Sequence, residues 1–158
     1  MRLTRFTDNA LRSLTYLALD PTATPTVGAV AHRMGMSEDH LLKVVQRMSQ
    51  YGYVKTIRGR KGGMRLAMPA DQIVVGDVVR NTEENLTLMP CFDAGDPLSC
   101  PILPACTLSG VLNQALRAFL DTLDRYTIAD LVASRGDVLR QLTGLDVPEA
   151  AGEGASRG

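Results

Sequence analysis

The stretch SEDHLLKVVQRMSQYGYVKTIRGRKGGMRLA, residues 37–67, decides the fold class. Ser37 followed by two acids is a typical helix start, because its hydroxyl accepts a backbone N–H and the acids suit the positive end of the helix dipole. We predict a helix over 38–51 that Gly52 ends. The apolar face expected to pack on neighbouring helices consists of Leu41, Leu42, Val45 and Met48.

Two short strands are predicted after this helix, over 53–57 and 64–67. The connecting sequence RGRKGG, residues 58–63, is composed only of basic residues and glycines. Glycines supply the positive φ that a tight hairpin needs. The segment therefore predicts a β-hairpin with a basic tip.

Two further helices are predicted upstream, over 7–19 with Thr7 as the N-cap and over 27–34 with Thr26 as the N-cap. Three helices followed by a basic hairpin are the order of a winged helix-turn-helix. In that architecture the third helix enters the major groove of DNA and the wing lies along phosphates or the minor groove. We therefore predict a mainly α fold with a small β-hairpin.

The charge distribution supports a DNA-binding first half. Residues 1–65 hold eleven Lys and Arg against four Asp and Glu, a net charge of +7, and residues 66–158 hold six against thirteen, a net charge of −7. Such asymmetry is typical of one polyanion-binding module joined to another module, although chance segregation would give the same pattern. The DNA-binding candidates are Ser37, His40, Lys43 and Arg47 on or beside the third helix, and Arg58, Arg60, Lys61, Gly62 and Gly63 in the hairpin.

The remainder of the chain predicts a helical second half. A short helix is expected over 75–81, a long one over 105–126 and a short one over 127–133. The long helix carries a wide apolar stripe, and two-fold helix-turn-helix readers need a dimer seam, so we expect it to form a homodimer; packing on its own domain is the alternative. The expected segments are a winged helix-turn-helix domain over 1–82, a cysteine-rich cluster-binding loop over 83–104, a dimerisation helix with short terminal helices over 105–142, and a disordered tail over 143–158.

The three cysteines of the chain, Cys91, Cys100 and Cys106, form the pattern C-x8-C-x5-C in a segment rich in proline and glycine. Their odd number does not suggest a disulfide framework. Zinc sites usually contain closer cysteine pairs, so three thiolates at this spacing favour an iron–sulfur cluster. A fourth coordination position would remain, for which Asp8, His32 and His40 are candidates. Reversible cysteine oxidation without a metal is the competing reading.

The sequence also argues against several other classes of protein. It contains no apolar run long enough to span a membrane and no secretory signal at its N-terminus, so we expect a cytoplasmic protein with no membrane partner. It contains no nucleotide-binding loop or pair of nucleophile and base, so we do not expect an enzyme.

Five segments resemble the winged-helix iron–sulfur transcriptional repressors, a family with NsrR-like, IscR-like and RirA-like members. They are MRLTRFTDNALRSLTYLAL, LLKVVQRMSQYGYVKTIRGRKGGMRLAMP, IVVGDVVRNTE, CFD…CPILPAC and FLDTLDRYTIADLV, in order over about residues 1–133. The cysteine segment and DRYTIADL are most similar to the nitric-oxide-sensing, NsrR-like branch. Ser109 stands where IscR-like members carry a histidine ligand, which makes an IscR-like role less favoured.

The resemblance implies a homodimeric repressor that binds a pseudo-palindromic double-stranded operator. It implies an iron–sulfur cluster, with 4Fe–4S favoured and 2Fe–2S possible, on Cys91, Cys100 and Cys106, with Asp8 supplied by the other subunit. Nitric oxide would then be the signal that releases the operator. The long gap between the first two cysteines is shared with iron sensors of the family, so an iron- or redox-responsive regulator is the alternative.

Overall fold

The computed structural model describes residues 2–59, 62–89, 102 and 105–145 of the chain. It confirms the predicted fold class, which is mainly helical with one antiparallel hairpin. The helices are α1 (Arg5–Leu19), α2 (Val27–Met34), α3 (Glu38–Gln50), α4 (Val75–Thr82), α5 (Thr107–Leu123), α6 (Ile128–Ala133) and α7 (Gly136–Thr143). The strands are β1 (Val54–Ile57) and β2 (Gly63–Leu66), and a single 3₁₀ turn covers Ala70–Gln72. None of the helices in the described ranges is long and apolar enough to cross a membrane.

Side-chain caps begin the first three helices. Thr26 and Ser37 cap α2 and α3, as predicted, by accepting the backbone N–H of the third residue on. The prediction for α1 was wrong by one helical turn. Thr4 is the cap, and its Oγ1 accepts the N–H of Thr7 at 3.2 Å, while Thr7 is fully buried. Two threonines three residues apart offer the same local signal, and burial decides between them.

The core face of α3 differs from the predicted one at two positions, since it includes Val44 and excludes Leu42. Leu41, Val44, Val45 and Met48 are buried, which is the spacing expected of one helical face. Leu42 was predicted to belong to this face, but it is 49% exposed. Leu42 lies two residues, or about 200° of helix rotation, from Val44, so the helical phase set by Val44 and Met48 places Leu41 in the core face and Leu42 outside it.

The hairpin pairs Val54 with Leu66 and Ile57 with Gly63. One of its glycines has the predicted role and two have another. The positive φ is found at Gly59, whose φ is 111°. Gly62 and Gly63 instead lie directly against backbone carbonyls, and a Cβ on Gly63 would lie 2.6 Å from the Pro25 oxygen. Met64 N–H also donates to Pro25 O at 2.9 Å, so the loop between α1 and α2 supports the free edge of β2.

The chain returns to the winged domain after α5. Val75 N–H donates to Tyr126 O at 2.9 Å, and Ile128 N–H donates to Ile73 O at 2.9 Å. Ile128 is fully buried in the same core cluster as the residues of α1 and α3. The segment between Thr82 and Tyr126 therefore starts at the end of α4 and ends beside the start of α4.

An ion pair holds the end of α5 against α4. Arg80 donates to both carboxylate oxygens of Asp124, at 2.7 and 2.6 Å. The Asp124 carboxylate lies so close to Gly76 that a Cβ there would collide with it. Arg80 also pairs with Asp77 at 3.3 Å. These contacts fix the C-terminal end of α5 against α4.

We expect Asp124→Asn to lower the Tm at neutral pH, because the variant loses this ion pair. The hydrogen bond from Arg80 holds the pKa of the Asp124 carboxyl below its usual value of 3.8. Since the folded state has the lower pKa, the stabilisation is present above the unfolded pKa and is lost as pH falls through the folded one. The Tm difference from wild type, measured by circular dichroism, should therefore shrink below pH 3.8. An unchanged difference at low pH would contradict this, and Asp71→Asn, at an exposed carboxylate, is the control.

Helix α7 lies against the C-terminal end of α1. Arg140 donates to the Leu19 carbonyl through Nε at 3.1 Å and through Nη2 at 2.7 Å. Arg33 donates to Gly144 O at 2.9 Å. A helix end leaves unpaired carbonyls, and Arg140 satisfies one of them. The predicted disordered tail over 143–158 falls outside the described residues from 146 onward.

Candidate functional site

The outward face of α3 and its N-cap carry three of the nine predicted DNA-contacting residues. Ser37, Lys43 and Arg47 are exposed, and so is Arg58 at the start of the hairpin turn. Gln46 and Gln50 share this face and were not among the predicted contacts. Arg60 and Lys61 lie outside the described residues. The described cations leave an exposed positive surface on the helix and the hairpin that follows it.

His40 is placed differently from the other predicted contacts. Its ring packs edge-on against Phe6, with 6.0 Å between ring centroids. The Nε2 atom is buried and has no hydrogen-bond partner among the described residues. His40 therefore joins α3 to the N-terminal turn of α1 rather than pointing fully outward. Sequence reasoning missed Phe6, whose partner lies far along the chain.

Asp8 lies exposed in the first turn of α1, where its charge suits the helix dipole. Arg12 Nη1 lies 3.5 Å from Asp8 Oδ2, so the pairing suggested by their four-residue spacing is present. Arg12 also donates to the backbone oxygen of Met34. These side chains border an open hollow of about 400 Å³ together with Ser37 and His40. The hollow lies between α1 and the N-terminal end of α3.

Of the three cysteines, the structure describes only Cys106, and Cys91 and Cys100 lie outside the described residues. Cys106 is a half-buried free thiol at the N-cap position of α5. Its carbonyl accepts the Ser109 hydroxyl at 3.0 Å, and its side chain makes no capping hydrogen bond. Among the described residues no three His, Cys, Asp or Glu side chains lie close enough to hold a metal ion.

Thiolates and a carboxylate are chemically suited to an iron–sulfur cluster, since thiolate sulfur is its usual ligand and a harder donor can complete the shell. The position of Cys106 fits this group. The first backbone N–H groups of α5 lack helical acceptors, and the positive end of the helix dipole favours a bound group of negative charge. Asp8 is exposed.

Glu83 connects the root of the cysteine segment to α1 and was missed by sequence reasoning. Its Oε1 accepts the Thr4 N–H at 2.7 Å and the Thr4 hydroxyl at 3.1 Å. Glu83 is the C-cap residue of α4 and leads directly into the segment that contains the cysteines. A hollow of about 420 Å³ is lined by Thr4, Phe6, Glu83 and Arg47 of α3. The N-terminus of α1, the helix α3 and Glu83, from which the cysteine segment starts, therefore lie around one hollow.

The apolar stripe of α5 is uncovered within the described protomer. No residue of α5 is buried, and Leu108 and Val111 are 52% and 60% exposed. The C-terminal end of the helix packs on α4 through Leu123, which contacts the core. An apolar helix face of this kind favours contact with another protein surface.

Comparisons with known proteins identify the family. Residues 3–134 match Rrf2, described as iron-dependent transcriptional regulators. The HTH-type transcriptional regulator NsrR of Bacillus subtilis strain 168 is 46% identical over 143 residues, which span 90% of this chain and 97% of that protein. The regulator of the same name from Geobacillus kaustophilus is 46% identical over 139 residues, 87% of this chain and 94% of that protein.

Solved structures show the same fold at lower identity. IscR of T. potens has a TM-score of 0.70 at 22% identity and covers 87% of this chain and 90% of its own. CymR of B. subtilis, titled the global cysteine regulator, has a TM-score of 0.67 at 22% identity, with 84% and 97% covered. The relatives are transcriptional regulators rather than enzymes, in agreement with the sequence analysis. The chain belongs to the Rrf2 family of transcriptional regulators.

Proposed function

We propose that this regulator is a homodimeric DNA-binding repressor whose operator affinity is controlled by an iron–sulfur cluster that reacts with nitric oxide. The observation that carries the proposal is the meeting of three parts around Thr4 and Glu83: the N-terminus of α1, the recognition helix and the root of the cysteine segment. The similarity of the cysteine segment to that of nitric-oxide-sensing repressors indicates nitric oxide as the signal.

The exposed face of α3 and the hairpin support operator binding. Ser37, Lys43 and Arg47 are exposed on or beside α3 and would contact the major groove, and the exposed Arg58 at the hairpin turn would lie at the wing. Cations on the wing hold phosphates and give affinity, whereas contacts from α3 to base edges give sequence specificity. Two recognition helices in a dimer would read a pseudo-palindromic operator.

Cys91, Cys100 and Cys106 are the proposed cluster ligands, with Asp8 of the partner subunit as the fourth. When bound, the cluster supplies irons that react with nitric oxide. Cys106 would tie it to the start of α5, while Arg12 lies beside Asp8 and balances its charge. If Asp8 of one subunit ligates the cluster of the other, a change at the cluster would alter the arrangement of the two subunits.

The coupling to DNA would pass through the N-terminal turn of α1. Glu83 holds Thr4, and Phe6 packs on His40 of α3. A displacement of the cysteine segment would therefore act on the turn that carries Asp8 and on the helix that reads DNA. Regulation requires only that the protein before this displacement and the protein after it differ in operator affinity.

One observation favours a second candidate, a regulator that responds to iron supply on the same fold. The Rrf2 family as a whole is described as iron-dependent. In this case the loss of the cluster through lack of iron, or cysteine oxidation, would release the operator. The proposed ligands are the same, and only the signal differs.

The test is an ultraviolet–visible spectrum of the anaerobically purified dimer, titrated with nitric oxide while operator binding is followed by fluorescence anisotropy. We expect a brown protein that loses its charge-transfer absorption and its operator together. Cys106→Ala should abolish the colour and the response, and Asp8→Ala should weaken both. Asp137→Ala is the matched control, because Asp137 also pairs with an arginine one turn along an exposed helix.

The outcomes separate the two candidates. Release of the operator by an iron chelator, with no effect of nitric oxide on the loaded protein, would support the iron-responsive candidate. A protein that stays colourless after anaerobic reconstitution with iron and sulfide would contradict the cluster in both candidates.

A further inference from the structure

Leu42 is the one large apolar side chain on α3 that the described structure leaves exposed. It is 49% exposed, whereas Leu41, Val44 and Val45 of the same helix are buried. It was predicted to belong to the core, and the helical phase of α3 instead directs it outward. An isolated exposed leucine is unremarkable on most surfaces, so its surroundings decide whether it has a role.

The surroundings of Leu42 are those of a DNA-reading surface. Asp39 and Gln46, three residues before and four after, are its neighbours on the helix surface, and both are exposed. Carboxylates and amides are groups that pair with base edges. Lys43 is exposed beside it and Arg47 one turn further along. The positive charges of Lys43 and Arg47 complement the phosphates of the duplex, so the surface that would cover Leu42 is DNA.

We propose that Leu42 contacts the 5-methyl group of a thymine in the major groove and so determines part of the operator sequence. The proposal rests on the DNA binding in the proposed function. Thymine is the only base that presents an apolar group to the major groove. Leu42 lies in the N-terminal half of α3, the part of a recognition helix that contacts base edges. Burial of Leu42 against this methyl excludes water from both apolar groups.

The test is a methyl scan of the operator. The operator is first selected from random duplex DNA with the wild-type dimer. The corresponding thymines of the two half-sites are then replaced together by deoxyuridine, which removes only the methyl group. At one such pair wild type should lose about fourfold in affinity per half-site, the equivalent of one buried CH₂ group, or about 16-fold for the dimer. Leu42→Ala should lose a similar factor on the thymine operator and nothing further on the deoxyuridine one.

Two other variants sharpen the test. Leu42→Met keeps an apolar contact and should retain sensitivity to the methyl group. Leu142→Ala, at a leucine of α7 that is 77% exposed, should bind both operators like wild type. Because Leu42 makes up none of the buried core, its variants should keep the wild-type Tm.

The outcomes distinguish this inference from the proposed function. If the losses from Leu42→Ala and from deoxyuridine add at every thymine, the two groups do not touch and the inference is overturned while the repressor remains. If wild type selects no sequence, both the inference and the DNA-binding function are overturned. Selective binding that does not respond to nitric oxide overturns only the proposed signal, and the methyl scan then decides the inference as before.

Discussion

Val111→Glu should turn the proposed dimer into a monomer and reduce operator affinity by at least about 100-fold, because linked engagement of two half-sites is lost. Val111 is 60% exposed in the protomer and lies in the apolar stripe of α5. If this stripe is the dimer seam, the new carboxylate would be buried against its symmetry mate, where an unpaired charge is strongly unfavourable.

The same substitution should leave the fold of the protomer intact. A glutamate at an exposed position loses no core contact, so the circular dichroism spectrum should remain that of wild type. Sedimentation velocity gives the oligomeric state, and fluorescence anisotropy gives the affinity for a two-half-site operator and for a single half-site. The half-site affinity should change little, because each protomer keeps its recognition helix.

Gln114→Glu is the matched control for this prediction. Gln114 is exposed on α5 and lies on the side of the helix away from most of the stripe, since two residues, or about 200° of rotation, separate it from both Leu112 and Leu116. It adds a similar charge to the same helix. A dimer that survives Val111→Glu would place the seam elsewhere and would make the stripe a surface for another partner.

Gly63→Ala should displace the wing and lower the stability of the protein by about 3 kcal/mol, the upper part of the range for an overpacked site. A Cβ at this position would collide with the Thr24 carbonyl oxygen and would lie 2.6 Å from the Pro25 oxygen. Both neighbours are backbone atoms and cannot rotate away as a side chain can. The hydrogen bond from Met64 N–H to Pro25 O would be lost with the contact.

This displacement should be visible in DNA binding as well as in stability. A moved wing holds fewer phosphates, so operator affinity should fall and its dependence on salt should become less steep. Thermal unfolding and a salt titration of binding are the measurements. Gly110→Ala is the control, since no atom lies near its Cβ position and it should be neutral or slightly stabilising. An unchanged salt slope in Gly63→Ala would show that the wing makes no phosphate contacts.

The parts of the fold that follow local rules could be predicted from the sequence. Thr26 and Ser37 were identified as N-caps because each hydroxyl bonds to a backbone N–H three residues away. The sequence pattern of α3 does not decide which leucine belongs to the core face, since Leu41 and Leu42 are adjacent and both are apolar. The choice between them depends on which neighbouring helix packs against α3, and this is not a local property.

The contacts that position the candidate site join distant parts of the chain, and sequence patterns do not reveal them. Glu83 binds Thr4 across 79 positions of sequence separation. Phe6 packs on His40, so a histidine that the helical pattern placed with the DNA-contacting residues turns inward. Gly63, a predicted DNA-binding residue, lies against the backbone of Thr24 and Pro25, a contact that the sequence pattern did not reveal. The cysteine ligands stay predictions, because two of the three lie outside the described residues.

The burial of Ile128 beside α1 and α3 has a consequence for how the protein is made on the ribosome. The recognition helix emerges early, but the core beneath it lacks one of its members until residue 128 has left the exit tunnel. At about 5–20 residues per second, synthesis of the segment between Thr82 and Tyr126 takes several seconds. During this interval the nascent chain exposes apolar surface while its basic face is already present. We therefore expect the emerging chain to depend on chaperones until α6 arrives, and the regulator to become competent for DNA only near the end of its own translation.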